Sequence, residues 1–253
     1  MAASPWFIRH HLSRPAPKLR LICCPHAGGS PAVFSPWASR LPPSLDMLTL
    51  QLPGHGSRLK ERPFTRLTEV IEAVGPALLP HLDATPFAVL GHSMGTLIAF
   101  ELTRWLRRHH HPLPVHLVVA ARRAPHVRDF HGDVHRRPFE GIVEHIQKLG
   151  GTPQAILTHH EMLKIFIPIV RADYEIVETY RYTEEPPLPC SITTLAGIED
   201  PATVDEHLEL WEKHTTAGFS RSFFPGGHFF LHNQPEVLPT VLKALALKGQ
   251  SLA

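Results

Sequence analysis

The chain alternates between short apolar runs and longer segments whose apolar residues recur at helical spacing. The apolar runs lack strict alternation of apolar and polar residues, as is typical of strands buried on both faces of a parallel sheet. We predict strands at Leu19–Cys24, Met47–Leu52, Phe87–Leu90, Val115–Ala120, Ile192–Ala196 and Ser222–Phe224. We predict helices at Leu67–Leu82, Thr96–Arg108, Val204–His214 and Val237–Leu247. This alternation indicates a doubly wound α/β fold with a mostly parallel sheet.

One connection is much longer than a crossover requires. About seventy residues separate Ala121 from Pro189, whereas about a dozen would be enough. Apolar residues at helical spacing predict helices near 139–149 and over 161–182, and Pro168 is expected to kink the second. We predict one α/β domain over 1–253 with a helical insertion over roughly 125–185. The insertion is either a set of helices packed on the sheet or, as we favour, a lid over the carboxyl edge where such sheets bind ligands.

Composition narrows the class of protein. Of 253 residues, 43% are hydrophobic and 19% charged, which is typical of a globular protein with a substantial core. The formal net charge of +2 gives no electrostatic case for nucleic acid. The apolar runs are far shorter than the roughly 20 residues of a membrane span.

The histidines and cysteines indicate which residues face solvent and in which redox compartment the protein lies. The 20 histidines are scattered, and we interpret them by default as solvated surface residues. Cys23 and Cys24 are neighbours on one predicted strand, so a disulfide between them would be strained. The first residues lack the apolar stretch of a signal peptide. We therefore expect a reducing, cytoplasmic location.

The segment Gly91–Gly95 reads GHSMG and fits the pattern G-x-S-x-G. This pattern marks a nucleophile elbow, in which a strand turns abruptly into a helix with a strained serine at the apex. A predicted strand precedes Ser93 and a helical segment follows it, as the elbow requires. The competing interpretation is a phosphopantetheine attachment serine of a carrier domain, but those domains are small helical bundles and this serine follows a strand.

A serine nucleophile needs a base, and the base needs an orienting acid. In this fold the chain order is serine, acid, histidine. His228 is the candidate base, because it follows a strand and two glycines before the last helix; the alternative is a surface histidine. Asp200 is the candidate acid, with Pro201 fixing the turn behind it. Glu199 and Asp205 remain alternatives, and Asp173 in the insertion is interpreted as structural.

The negative oxygen of a tetrahedral intermediate needs two backbone donors. We predict the amide of Met94, next to the nucleophile, and the amide of Ala27 in the loop PHAGG. We predict no metal and no cofactor. His131 and His135 lie four residues apart, but the glutamate of the H-E-x-x-H pattern is missing.

Five ordered motifs carry a resemblance to a known family. They are PHAGGS at 25–30, LPGHGSRLKE at 52–61, GHSMG at 91–95, GIEDP at 197–201 and GGHFFL at 226–231. Together they resemble the type II thioesterases of nonribosomal peptide and polyketide synthesis, which are α/β-hydrolases. The resemblance also places a lid at the insertion, with RADYEIVETYRY at 171–182 closing it. Where relatives commonly read LPGR, this chain has His55, which leaves the role of that arginine open.

The resemblance implies a serine thioesterase with Ser93, Asp200 and His228 as its catalytic triad and with Ala27 and Met94 as its oxyanion donors. It implies hydrolysis of acyl or aminoacyl thioesters on the phosphopantetheine arm of a synthetase's carrier protein, with that arm supplied by the substrate. We expect a monomer with no nucleic acid or membrane partner. The alternatives are an esterase or lipase acting on small free esters, a silent binding protein on the same scaffold, and acyl transfer in place of hydrolysis.

Overall fold

The computed structural model describes residues 5–10, 17–127 and 133–246. Within these ranges seven strands form one sheet, in the order β1-β3-β2-β4-β5-β6-β7. The strands are β1 Phe7–Arg9, β2 Leu19–Cys24, β3 Leu45–Leu50, β4 Phe87–His92, β5 His116–Ala120, β6 Ser191–Gly197 and β7 Phe219–Phe224. The strand β1 is antiparallel to β3, and the other neighbouring pairs are parallel.

Helices cover both faces of the sheet. They are α1 Ser35–Ala38, α2 Leu67–Leu78, α3 Met94–Arg108, α4 Phe139–Leu149, α5 Gln154–Leu157, α6 His160–Thr179, α7 Asp205–Glu209, α8 Phe230–Asn233 and α9 Val237–Leu245. The predicted α/β architecture is confirmed. The predicted helical character of the insertion is also confirmed, because α4, α5 and α6 lie between β5 and β6.

Two apolar cores flank the sheet, and a third lies inside the insertion. Residues of α2 and α3 pack on one face, and residues of α1, α8 and α9 pack on the other. Cys24 belongs to the first core and Cys23 to the second, as expected for neighbours on a strand. The third core joins α4 and α6 through Ile142, Ile146, Leu163, Ile167 and Val170.

Several predicted boundaries were wrong. The second predicted strand is displaced, because β3 covers Leu45–Leu50. The segment 204–214 was predicted as one helix, but α7 ends at Glu209 and a 3-10 helix continues to His214. Likewise α2 ends at Leu78, where a 3-10 turn containing Pro80 begins. Pro168 lies inside α6 without ending it. The predicted end of the last helix, Leu247, lies outside the described residues.

The strand β1 was not predicted. Its three residues are too few to show a pattern, and only their pairing with β3 identifies them as a strand. Among the residues that the structure describes, no helix combines the length and the apolar character needed to cross a membrane.

Candidate active site

Ser93 lies at the turn between β4 and α3, where the sequence predicted an elbow. Its backbone has φ 54° and ψ −113°, and a side chain at positive φ is strained. The Ser93 amide donates to the carbonyl oxygen of Ala120 at 2.8 Å, which ties the turn to the end of β5. The strained turn is therefore bonded to the neighbouring strand.

The two glycines of the motif are required by close backbone packing. A Cβ on Gly91 would lie 2.3 Å from the carbonyl oxygen of Gly95. A Cβ on Gly95 would lie 2.0 Å from the carbonyl oxygen of Cys24 in β2. These distances are far below van der Waals contact, and the obstructing atoms are backbone, so side chains at either position would force the elbow apart.

The structure brings Ser93, His228 and Asp200 together in a hydrogen-bonded chain. The His228 Nε2 atom is 2.9 Å from Ser93 Oγ, and His228 Nδ1 is 2.8 Å from Asp200 Oδ2. A carboxylate only accepts, so Nδ1 carries the proton, which leaves the Nε2 lone pair facing the serine hydroxyl. This is the arrangement in which a histidine can take the hydroxyl proton.

The surroundings of Asp200 keep it ionised. Burial alone would raise its pKa, but the hydrogen bonds from His228 and from the Ala202 amide outweigh burial, and the pKa of Asp200 is lowered. The alternative acids lie elsewhere: Glu199 is exposed, and Asp205 bonds to Arg221 at 2.6 Å.

The loops that carry Asp200 and His228 meet through glycine. A Cβ on Gly197, at the end of β6, would lie 2.3 Å from the carbonyl oxygen of Gly226 and 2.4 Å from that of Gly227. The Glu199 amide donates to that Gly226 oxygen at 3.0 Å. The two strands therefore deliver acid and base to the same point of the sheet edge.

Both amides predicted as oxyanion donors lie beside Ser93. Ala27 lines the same cavity as Ser93 and His228, and Met94 is the first residue of α3. Neither amide donates to an acceptor within the described part of the chain. Two such backbone donors near a serine hydroxyl are suited to binding a developing negative oxygen.

Two adjoining cavities reach the sheet edge. The first, of about 240 Å³, contains Ser93 and His228 and has Arg122, Arg123 and Lys148 in its lining. The second, of about 330 Å³, is bounded by the loop 26–30 and by apolar side chains of the insertion and of Phe229. Ala27, Leu149 and Tyr174 border both cavities. The insertion therefore forms one wall of the space around the serine.

Three imidazoles cluster at His92, the residue before Ser93. One ring nitrogen of each of His26, His92 and His232 falls within 4.8 Å of the others, a spacing at which a metal ion could be held. Burial lowers the pKa of His26 and of His232 to about 4 and lowers that of His92 well below its usual value. The rings are therefore neutral near pH 7, which is the protonation state of a histidine ligand. The earlier candidate pair differs: His135 bonds Glu178, and His131 lies outside the described residues.

Sequence reasoning missed one polar cluster and misjudged many histidines. Asp173 was interpreted as a structural residue of the insertion, yet its Oδ2 accepts hydrogen bonds from the Gly28 amide and from His55. The only sequence signal was the departure at His55 from the motif of relatives. The default of a solvated surface was wrong for His55, His92 and His214, which are buried.

A strained serine at a strand-to-helix turn of a mostly parallel sheet, with acid and histidine on later loops, defines the α/β-hydrolase class. A family model described as thioesterase domain matches residues 19–245. The chain belongs to this thioesterase family.

Individual relatives agree with this assignment. The chain is 37% identical to the gramicidin S biosynthesis protein GrsT of Aneurinibacillus migulanus over 96% of this chain and 94% of the relative. It is similar to the type II thioesterase BorB from the borrelidin biosynthetic cluster (TM-score 0.87, 34% identity, 96% and 98% coverage). It is also similar to the thioesterase RedJ from the prodiginine pathway in Streptomyces coelicolor (TM-score 0.83, 36% identity, 91% and 90% coverage).

Proposed function

We propose that this protein hydrolyses acyl or aminoacyl thioesters on the phosphopantetheine arm of carrier proteins that belong to a nonribosomal peptide or polyketide synthetase. The observation that carries the proposal is the 2.9 Å contact between Ser93 Oγ and His228 Nε2 inside a cavity walled by the insertion. Membership of the thioesterase family indicates that the bond hydrolysed is a thioester. The relatives from biosynthetic pathways indicate that the substrate is carried by a synthetase.

In the first half-reaction Ser93 Oγ attacks the thioester carbonyl carbon while His228 Nε2 accepts the hydroxyl proton. The carbonyl oxygen becomes negative and receives hydrogen bonds from the Ala27 and Met94 amides. Asp200 stabilises the imidazolium through Nδ1. The carbon–sulfur bond then breaks, and His228 returns its proton to the leaving thiolate of the arm, which leaves the acyl group on Ser93.

In the second half-reaction water replaces the thiol. His228 removes a proton from a water molecule, which attacks the acyl-enzyme carbonyl through a second oxyanion. The ester bond to Ser93 breaks, and His228 donates the proton back to Oγ. The products are a free carboxylic acid and a carrier protein with its thiol restored, and no redox step or external cofactor takes part.

The two cavities suit the two parts of such a substrate. The second cavity is lined by apolar side chains such as Ile146, Phe166 and Val170, and we assign it to the acyl chain. The first cavity contains Ser93 and has Arg122, Arg123 and Lys148 in its lining together with Glu178, and we assign it to the arm. Ala27 and Tyr174 border both cavities, so we place the scissile carbonyl where the two cavities meet.

The proposal is tested by intact-protein mass spectrometry on a panel of acylated carrier proteins. The native protein is expected to release the acyl group as the acid, and Ser93→Ala is expected to release none. Asp200→Asn should lower kcat by about 10⁴-fold, as in other triads. The matched control is Glu199→Gln on the neighbouring exposed residue, which should leave kcat unchanged. Turnover by Ser93→Ala would overturn the assignment of the nucleophile.

The second candidate is an esterase acting on small free esters with the same three residues. Comparing kcat/KM for an acyl-carrier protein with that for the matching free ester separates the two functions. A strong preference for the free ester would overturn the carrier-protein proposal. An amine or alcohol added to the same assay reveals acyl transfer, because the product would then be an amide or ester in place of the acid.

We also place the enzyme in the cytoplasm. The three cysteines are free and buried, and burial raises the pKa of Cys24 to about 12 and that of Cys190 to about 11. Thiols kept protonated and out of solvent suit a reducing compartment.

A further inference from the structure

Asp173 joins the insertion to the loop that carries Ala27. Its Oδ2 accepts the Gly28 amide hydrogen at 2.6 Å, although the two residues are 145 positions apart in sequence. Gly28 has φ +73°, and a Cβ there would lie 2.9 Å from the Phe166 ring of α6. Helix α6 therefore packs directly on this turn and also bonds to it.

The bond to Asp173 fixes one of the two peptide groups that flank Ala27. The group after Ala27 is held at both ends, since its carbonyl faces the His26 ring at 2.9 Å and its amide donates to Asp173. The group before Ala27 contains the proposed oxyanion donor, and its carbonyl accepts from the Gly29 amide at 2.9 Å. The direction of the Ala27 N–H thus depends on the conformation of the turn 26–29, which the hydrogen bond from the Gly28 amide to Asp173 stabilises.

His55 holds Asp173 in place. Its Nε2 is 2.9 Å from Asp173 Oδ2, and its Nδ1 is 3.0 Å from the carbonyl oxygen of Pro53. Both partners accept hydrogen bonds, so both ring nitrogens carry protons and the ring is an imidazolium. Burial alone would lower the pKa of His55, but the charge and hydrogen bond of Asp173 outweigh burial, and the pKa is raised. Asp173 and His55 are 1% and 4% exposed.

We propose that Asp173 and His55 are positioning residues for hydrolysis: the buried pair ties α6 to the turn 26–29 and so aims the Ala27 amide at the oxyanion. The inference rests on the proposed function, because it assigns a role to that amide in the same reaction. Neither residue touches the reacting atoms. When α6 moves away, the bond to Gly28 breaks, so oxyanion binding depends on the seating of the insertion.

The test combines turnover with binding of an oxyanion mimic. Asp173→Asn keeps the shape of the side chain and removes its charge. We expect kcat to fall about 10- to 100-fold with KM little changed, below the full loss of an oxyanion donor. A trifluoromethyl ketone, whose adduct with a serine carries a tetrahedral oxyanion, should lose affinity by the same factor.

Matched variants separate positioning from general stability. Glu175→Gln, two residues away on α6, removes a charge that faces Arg66 and should change neither number. His55→Arg keeps the positive charge and the donors and should stay within about 3-fold of the native kcat, whereas His55→Gln should lose activity as Asp173→Asn does.

Two results would overturn the positioning role: a native kcat in Asp173→Asn, or a lower kcat with unchanged affinity for the ketone. If Asp173→Asn does not fold, His55→Gln decides by the same two numbers. Ser93→Ala in the same assay keeps the proposals apart. Turnover by Ser93→Ala would contradict the proposed nucleophile. Loss of turnover in Ser93→Ala together with a native kcat in Asp173→Asn would contradict only the role of the Asp173–His55 pair.

Discussion

The ring of His92 donates its Nε2 hydrogen to the carbonyl oxygen of His228 at 2.9 Å. The residue directly before the nucleophile therefore holds the backbone of the residue that carries the base, across 136 positions of sequence. His92 is fully buried and its pKa is lowered well below the usual value by burial, so it makes this bond as a neutral ring. The spacing between Ser93 and His228 is thus set from within the elbow itself.

His92→Phe should lower kcat by about 10- to 100-fold, because a displacement of about 1 Å in a reacting group can cost about 10²-fold. Steady-state kinetics on an acyl-carrier protein measures the effect. His116→Phe is the matched control, since it removes one imidazole hydrogen bond, to Thr193, at the opposite end of β5. Equal losses in both variants would show that His92 contributes only to stability.

Gly95→Ala should prevent the elbow from closing. The new methyl group would lie 2.0 Å from the Cys24 carbonyl oxygen, and overpacking against fixed atoms costs about 1–3 kcal/mol or more. Urea denaturation measures the loss in free energy of unfolding. Gly218→Ala is the control, because its Cβ would have its nearest neighbour at 3.4 Å and should change stability little. Native stability in Gly95→Ala would contradict the described packing of α3 on β2.

Acid should destabilise the fold through histidines that are buried or half-buried. Burial lowers the pKa of His26, His116, His214 and His232 to about 4 each. Between about pH 6.5 and pH 4 the unfolded chain binds these protons and the native protein does not. Each such group therefore lowers the free energy of unfolding by about 1.4 kcal/mol per pH unit as the pH falls through this window.

Urea denaturation at a series of pH values measures this slope. His116→Phe should reduce the slope of the free energy of unfolding against pH by about 1.4 kcal/mol per pH unit. Replacement of the exposed His110 should leave the slope unchanged. His55 acts with the opposite sign, because its pKa is raised: its contribution is complete below about pH 6.5 and is lost as the pH rises through the raised value. The groups facing it are Asp173 of α6 and, by charge, His26. A native slope in His116→Phe would contradict the burial of that ring.

Metal chelation tests whether the three clustered imidazoles of His26, His92 and His232 hold a metal ion. In the proposed mechanism the carbonyl is polarised by two amides, so dialysis against EDTA is expected to leave kcat unchanged. Loss of activity on chelation, with recovery on addition of zinc and no such response in His232→Leu, would instead identify His26, His92 and His232 as a metal site.

The sequence predicted those parts of the site that are local in the chain. Ser93 could be located because a strand, two glycines and a helix follow one another within a few residues. His228 and Asp200 could be predicted because each follows a strand and because the residues of this class occur in the chain order serine, acid, histidine. Local patterning could not reveal the pairing of His55 with Asp173, which lie 118 positions apart and meet only after α6 docks.

Burial of polar rings was equally invisible to the sequence. A histidine gives the same sequence pattern whether its ring faces water or a neighbouring carbonyl. His92, the last residue of β4, and His214, the last residue of a 3-10 helix, are both buried. The short strand β1 was also missed because its recognition depends on a distant contact: its three residues are identified as a strand only by their pairing with β3.

The separate apolar core of the insertion has a consequence for how the molecule opens. Its side chains pack on one another, whereas Ile176, further along α6, belongs to the first core of the sheet. Amide hydrogen exchange should therefore occur in α4 and in α6 up to Val170 through local opening events, at a lower free energy than in β4 and β5, which exchange on global unfolding. A carrier-borne chain could then be admitted by a transient fluctuation of one subdomain while the nucleophile's scaffold stays rigid.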